Sequence, residues 1–406
     1  MQYCVVDACF PLLQQSFGMA AMWLKYELSR RDIAEAPISS ADCLLVTCVD
    51  ARNVDFVARI KKKFPGKHII AGGSAGYAPA SIAQFCDCVC VGNGERFMDV
   101  LFSDGLCAAM SLPESFVHGE TRTVQVASGF PWRMPPIQAE DGMFRLWCGR
   151  GCKKKCAYCQ TGWSCEYEEN PNPKSIVAYA NRLGVSGDKF AYLSNDPLQH
   201  SFHDLLPQTE SSSFSFEYIK KYGLPNARQV RLGVEGPSQR LRAFVRKPIA
   251  HDDLWKSTSW MNQNGKSVRW FMIAGLPSET DADYEELKTA LTNWKKYTPK
   301  GVLALSFTAW QPEPSTPLGA FPLDDSYYDR YNRFKEWFFG IGFSNKIKIM
   351  NPMSPKARLE SAIARMCLPS DKLYVGDDWG PNNRIEYPYK AQRNKMYVLL
   401  KKEAMA

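Results

Sequence analysis

No apolar run in this 406-residue chain approaches the roughly 18 residues that a membrane span requires, so no span is expected. The opening stretch MQYCVVDACF lacks the basic-then-apolar layout of a secretory leader, and the expected location is cytoplasmic. The dinucleotide fingerprint G-x-G-x-x-G is also missing, which removes the main sequence argument for a nicotinamide site. Internal repeats and low-complexity tracts are absent, and 45% hydrophobic residues argue a folded, well-cored protein.

Cysteine, by contrast, is abundant. Fourteen cysteines without a secretory leader point to reduced thiols or metal ligands, not a disulfide framework. A net charge of +8 suits a polyanionic partner, although it is spread over the whole chain.

The first hundred residues alternate short apolar runs with amphipathic stretches, the pattern of a parallel sheet with helical crossovers. Strands are expected at 2 to 8, 43 to 49, 68 to 73 and 86 to 92. Helices are expected at 12 to 30, 53 to 64, 79 to 85 and 95 to 102. This gives a Rossmann-like α/β domain over 1–105, whose strand ends carry the glycine turns GGSAG and GNGE. Residues 106–143 read as a linker, because the pattern fades and prolines 113, 131, 135 and 136 enter.

A second strand-helix series follows, with strands expected at 144 to 148, 190 to 195, 213 to 218, 229 to 235, 268 to 275 and 302 to 310. Six such units close naturally as a partial (β/α)6 barrel of the TIM type over 144–320. The fold class is therefore α/β, with residues 321–406 forming an extension packed on the barrel, aromatic and basic with no clear period.

Five cysteines fall between Cys148 and Cys165, in CGRGCKKKCAYCQTGW and just beyond. Cys152, Cys156 and Cys159 form C-x3-C-x2-C. Three soft thiolates on a short loop suit a four-iron, four-sulfur (4Fe-4S) cluster with one iron left open. A zinc knot completed by Cys148 or Cys165 is the alternative. The loop directly follows the first barrel strand, at the mouth where barrel enzymes place their chemistry. Lys153, Lys154 and Lys155 either raise the local potential or form a solvated run.

The stretch, including Tyr158 just before the last cysteine, resembles the cluster loop of the radical S-adenosylmethionine (SAM) superfamily. RLGVEGPSQRLRAFVRKPI, WFMIAGLPSET and ALSFTAWQPEPSTPLG resemble that family's fourth, fifth and sixth strand segments. The resemblance implies a 4Fe-4S cluster on Cys152, Cys156 and Cys159, with SAM at the open iron. It also implies reductive cleavage of SAM to a 5′-deoxyadenosyl radical, and a reducing partner such as flavodoxin or ferredoxin. By the same likeness Glu235 and Ser238 contact the ribose or methionine of SAM, and Gly275 lets backbone approach the adenosine. Asp196 is a candidate for the SAM ammonium. E-G-P-S could equally cap the next helix.

The N-terminal half resembles both the cobalamin-binding domain of radical SAM methyltransferases and the methylthiotransferase domain. Cys9 and Cys48 fall where two ligands of the latter's second cluster belong, but Gly73 stands at the third position. The cobalamin lower-ligand pattern D-x-H-x-x-G is missing, which leaves cobalamin without a histidine ligand, a second cluster, or neither. Cys86, Cys88 and Cys90 alternate as if lining the buried face of one strand. The leading expectation is modification of an unactivated carbon, with a nucleobase in tRNA or DNA as substrate. Cobalamin-dependent C-methylation of a small molecule or peptide is the second. A non-enzymatic, metal-stabilised nucleic-acid-binding module is the third.

Overall fold

The computed structural model describes residues 1–8, 18–129, 137–138, 144–171, 190–193, 213–224, 228–341, 347–350, 354–366 and 380–405, with isolated positions 174, 175, 178, 182 and 352. Asp196 and Cys9 lie outside the described residues.

The first sheet runs in sequence order: β1 (Tyr3–Asp7), β2 (Cys43–Thr47), β3 (His68–Gly72), β4 (Cys88–Cys90) and β5 (Ser115–Phe116). The first four are parallel and β5 closes the edge antiparallel. Strand β2, CLLVT, is buried throughout, as expected of a parallel strand covered on both faces. Its period of two sends Cys43 and Leu45 toward one core and Leu44 and Val46 toward the other. Helices Met19–Ser29 and Glu95–Ser103 cover the first of these faces, and Val54–Lys63 and Ala80–Ala83 the second. Cys88 and Cys90 share the first face, whereas Cys86 precedes the strand and packs on the second. The expectation of three cysteines on one face is corrected to two.

Residues 106–143 are not a bare connection. Besides β5, they supply β6 (Val124–Gln125) and β7 (Ile137–Gln138), and the latter pairs antiparallel with β8 (Phe144–Trp147), the first barrel strand. Strand β9 (Gly149–Arg150) pairs with β10 (Glu168–Glu169) and closes the base of the loop between them. Strand β11 (Phe190–Leu193) lies parallel to β8.

The remaining barrel strands form one parallel sheet of β12 (Ser213–Phe214), β13 (Gln229–Glu235), β14 (Ser267–Ala274), β15 (Leu303–Ala309) and β16 (Ile347–Met350). The expected strand at 213 to 218 shrinks to two residues. Ser215 accepts a hydrogen bond from the Tyr218 N–H, so it caps a helix, Phe216–Tyr222, in place of continued strand. Strand β16 extends the sheet beyond the six expected units. This is an α/β fold with a partial barrel.

The extension is ordered by helices at Tyr327–Gly340, Pro355–Met366 and Lys390–Met405. The first does carry a period, since Tyr327, Tyr331, Phe334 and Phe338 are its buried face. The extension also grips both halves of the molecule, not the barrel alone. Strand β17 (Ile385–Glu386) pairs with β6, and Arg365 bridges Asp50 of the first sheet's loop to Glu313 of the barrel. Among the described residues no helix is long and apolar enough to cross a membrane.

Candidate functional site

Strand β8 ends at a buried Cys148, and the chain then leaves the sheet for the loop that bears the three spaced cysteines. Gly151 takes φ +70°, and a Cβ there would lie 2.4 Å from the Glu166 carbonyl oxygen, so only glycine permits the close crossing at the loop base. The loop is anchored through its middle. The Ala157 N–H donates to the Val245 carbonyl at 2.9 Å, and the Ala157 carbonyl accepts from the Leu318 N–H at 3.1 Å. Trp163, fully buried, donates its indole N–H to the Cys156 carbonyl at 2.9 Å. Two segments distant in sequence and Trp163 of the loop itself thus fix the backbone at Cys156 and Ala157.

Cys156 is buried, while Cys152 and Cys159 are part-exposed. Burial pushes the Cys156 thiol up to about 12, the Lys247 ammonium opposes this, and the charges of Cys159 and Cys152 add to it. Burial also raises Cys159, with a further contribution from Cys152. The three thiols are therefore electrostatic neighbours. Yet among the described residues no three His, Cys, Asp or Glu side chains converge tightly enough to hold a single metal ion. A soft, all-thiol donor set on one anchored loop fits an iron–sulfur core.

The lysine run is engaged, not simply solvated. Lys153 pairs with Glu169 at 3.2 Å and Lys154 with Glu217 at 3.2 Å. Lys155, at φ +50°, donates to the Gly162 carbonyl and lies over the Tyr389 ring of the extension. Its burial lowers the ammonium to about 8.

Glu235 ends β13 at a register shift and at φ +69°, which carries its side chain back toward the cysteine loop. Its carboxylate meets Lys247 Nζ at 2.6 Å and accepts from the Tyr158 hydroxyl. Burial and the Glu235 charge push the Tyr158 phenol well above its ordinary value. A Cβ on Gly233 would lie 2.5 Å from both Glu235 Oε1 and Lys247 Nζ, so this pair occupies the space that a side chain there would need. The structure thus gathers Tyr158, Glu235 and Lys247 beside Cys156. Sequence reasoning missed Lys247, and its one signal was position, in the same quoted segment as Glu235.

Ser238 and Gly275 both lie in packed surroundings within the protein. Ser238 is buried, caps helix Gln239–Phe244 by accepting from the Leu241 N–H at 3.1 Å, and donates to Asp283. This is the capping arrangement that the sequence left open. Gly275 sits at φ +77°, with its N–H donated to Glu279 at 2.8 Å and its carbonyl accepting from Arg358 at 3.1 Å. A Cβ there would meet Tyr327 Cγ at 2.9 Å. Protein side chains, not open space, cover this glycine.

A cavity of about 530 Å³ lies between the carboxyl ends of the first sheet and the cysteine loop. Asp7, Thr47, Gly73 and Tyr77 line one side, and Arg150 and Cys165 the other. Gly73 takes φ +96°, and its Cβ would lie 2.5 Å from the Cys48 carbonyl oxygen. A cysteine at this third position is therefore sterically barred, and Cys48 itself is buried in an apolar cluster. With glycine in place of a cysteine at 73, the expected second cluster lacks its third thiol.

With this geometry described, likeness to other proteins adds the following. The family model for the radical SAM superfamily matches residues 148–291. An uncharacterized protein of Methanocaldococcus jannaschii is 24% identical over 189 residues, which are 43% of this chain and 41% of that protein. The apo, selenomethionine-labelled structure of the cobalamin-dependent S-adenosylmethionine radical enzyme OxsB has TM-score 0.51 at 11% identity, covering 71% of this chain and 51% of that one. The same enzyme with aqua-cobalamin and S-adenosylmethionine bound gives 0.46 at 14% identity, covering 74% and 56%. The first of these likenesses shows a shared fold. The chain matches only about half the length of these proteins.

Proposed function

We propose, from the match to the radical SAM superfamily at residues 148–291, that this protein is an enzyme that cleaves SAM reductively and modifies an unactivated carbon. The observation that carries the reading is the anchored three-thiol loop at the carboxyl end of the first barrel strand. Cys152, Cys156 and Cys159 would hold a 4Fe-4S cluster, which when bound and reduced by a flavodoxin- or ferredoxin-like donor supplies the electron for SAM cleavage. The chain's own residues set its surroundings. Trp163, Val245 and Leu318 fix the loop backbone at Cys156 and Ala157. Tyr158 and the Glu235–Lys247 pair close the side of the loop at Cys156, keep water from it and fix the local charge.

The substrate we propose is a nucleobase of a nucleic acid, in keeping with the net charge of +8. Anaerobic reconstitution should give iron and sulfide in equal amounts and yield 5′-deoxyadenosine from SAM under reduction. A preparation that binds zinc in preference to iron and leaves SAM intact would overturn the reading.

One feature favours a second reading, a cobalamin-dependent methyltransferase. The cavity of about 530 Å³ stands at the carboxyl edge of the first sheet, where open α/β sheets take ligands, and faces the cysteine loop. Protein produced with cobalamin supplied would then carry a corrin spectrum, and full activity in a corrin-free preparation would exclude this reading.

A further inference from the structure

The sixth-strand loop, the turn Gly380–Arg384 and the helix Lys390–Met405 enclose a second cavity, of about 260 Å³, on the extension side of the barrel. Among the described residues its lining includes Lys390, Arg393, Asn394 and Tyr397 but no Asp or Glu. Several of its polar groups are engaged within the protein. Asn382 accepts from the Ala80 N–H and donates to the Arg365 carbonyl, and the Thr316 hydroxyl accepts from the Gly319 N–H. Arg393 is held by the Pro314 carbonyl at 2.7 Å and by Asn394 Oδ1 at 3.0 Å. That contact turns Asn394 Nδ2 away as a donor. Lys390 Nζ and the Tyr397 hydroxyl are, among the described residues, likewise without an internal acceptor.

A cavity that holds two cations and, among the described residues, no carboxylate favours an anion. Lys390 also opens a helix of 16 residues with no acidic residue in its first turn, so the helix dipole adds to the same potential. The cavity adjoins the cysteine loop. Thr316 and Pro317 line it, and the next residue, Leu318, holds Ala157. Tyr389, just before Lys390, carries Lys155 on its ring.

We propose that this cavity binds a phosphate group of the substrate, with Lys390, Arg393 and Asn394 Nδ2 as its donors. The placement deepens the proposed function and rests on it only for the claim that the molecule held here is the one modified. The phosphate belongs either to a nucleic-acid backbone or to a free nucleotide, and the two share this chemistry.

The test is binding to the full chain without SAM or reductant, so its outcome is independent of SAM cleavage. A short fluorescein-labelled single-stranded oligoribonucleotide is titrated by anisotropy over a range of salt, with inorganic phosphate and adenosine monophosphate as competitors. Lys390→Ala should weaken binding of different sequences about equally and lower the salt slope by about one. Asn394→Asp keeps the acceptor for Arg393 and places a carboxylate in the cavity, so it should weaken binding further. Lys300→Ala, at an exposed lysine elsewhere, is the control. Binding of the oligonucleotide identifies a backbone phosphate, and binding of adenosine monophosphate alone identifies a free nucleotide. If neither binds, or if Lys390→Ala and Asn394→Asp match the parent while melting as it does, the proposal fails.

Discussion

Gly275→Ala separates two accounts of one glycine. Family likeness makes it the point where backbone meets adenosine, whereas the structure covers it with Tyr327 and Arg358, both fully buried. The new Cβ would lie 2.9 Å from Tyr327 Cγ and 3.1 Å from Arg358 Nη1. Neither neighbour can retreat easily, because Arg358 also donates to the Trp310 carbonyl at 2.9 Å and to the Asp324 carbonyl at 2.6 Å. Left-handed backbone costs an alanine about 1–2 kcal/mol, and overpacking adds about 1–3 kcal/mol. Gly265 provides an internal control, since it has the same φ of +77° and nothing within 4 Å of its Cβ position. The difference between Gly275→Ala and Gly265→Ala isolates the contact contribution, about 2 kcal/mol, or roughly 2–3 °C in melting temperature for a chain of this length. Thermal melts of the two variants beside the parent measure it. Equal melting temperatures for the two variants, with SAM binding lost only in Gly275→Ala, would refute the packing account and restore the adenosine one.

Four further outcomes follow from the geometry. Ser238→Ala should lose about 1–2 kcal/mol, through the lost helix cap and the unpaired Asp283 oxygen, and should leave SAM affinity within about twofold by calorimetry. Arg365→Met strips Asp50 and Glu313 of their shared partner and should cost about 3–5 kcal/mol in urea unfolding. Burial outweighs Arg150 and raises Glu95 to about 7 from 4.5, and both its carboxylate oxygens are buried without a hydrogen-bond partner. Its folded form therefore holds its proton where the unfolded form has lost it, so this contribution to stability is full below about pH 4.5 and is lost as pH rises through 7. Glu95→Gln should flatten that fall in melts taken across the interval. Lys247→Met leaves the buried Glu235 without its ion pair and should weaken iron retention during desalting of the reconstituted protein, while Lys300→Ala should not.

The strands of both sheets were legible in sequence because parallel strands covered on two faces read as apolar runs, as CLLVT and SVRWFMIA do. SFSFEY misled because its β-prone residues continue into a helix that starts only where Ser215 caps it. The helix Pro355–Met366 hid its buried face because Arg358 and Arg365 sit on it, and a hydrophobic pattern cannot register buried arginines. At the site, spacing alone revealed the three cysteines. Lys247 and Tyr77 escaped notice because each acquires meaning only from a partner that folding brings to it, Glu235 for one and Cys165 for the other. The glycine at position 73 looked like a missing ligand, and only the Cys48 carbonyl beside it explains why a side chain is barred there.

The central claim is that Cys152, Cys156 and Cys159 hold the cluster that cleaves SAM. Its most direct test is 5′-deoxyadenosine formed by the anaerobically reconstituted, dithionite-reduced protein beside Cys156→Ala treated identically. The account predicts product from the parent and none above background from the variant. Equal product from both would contradict it.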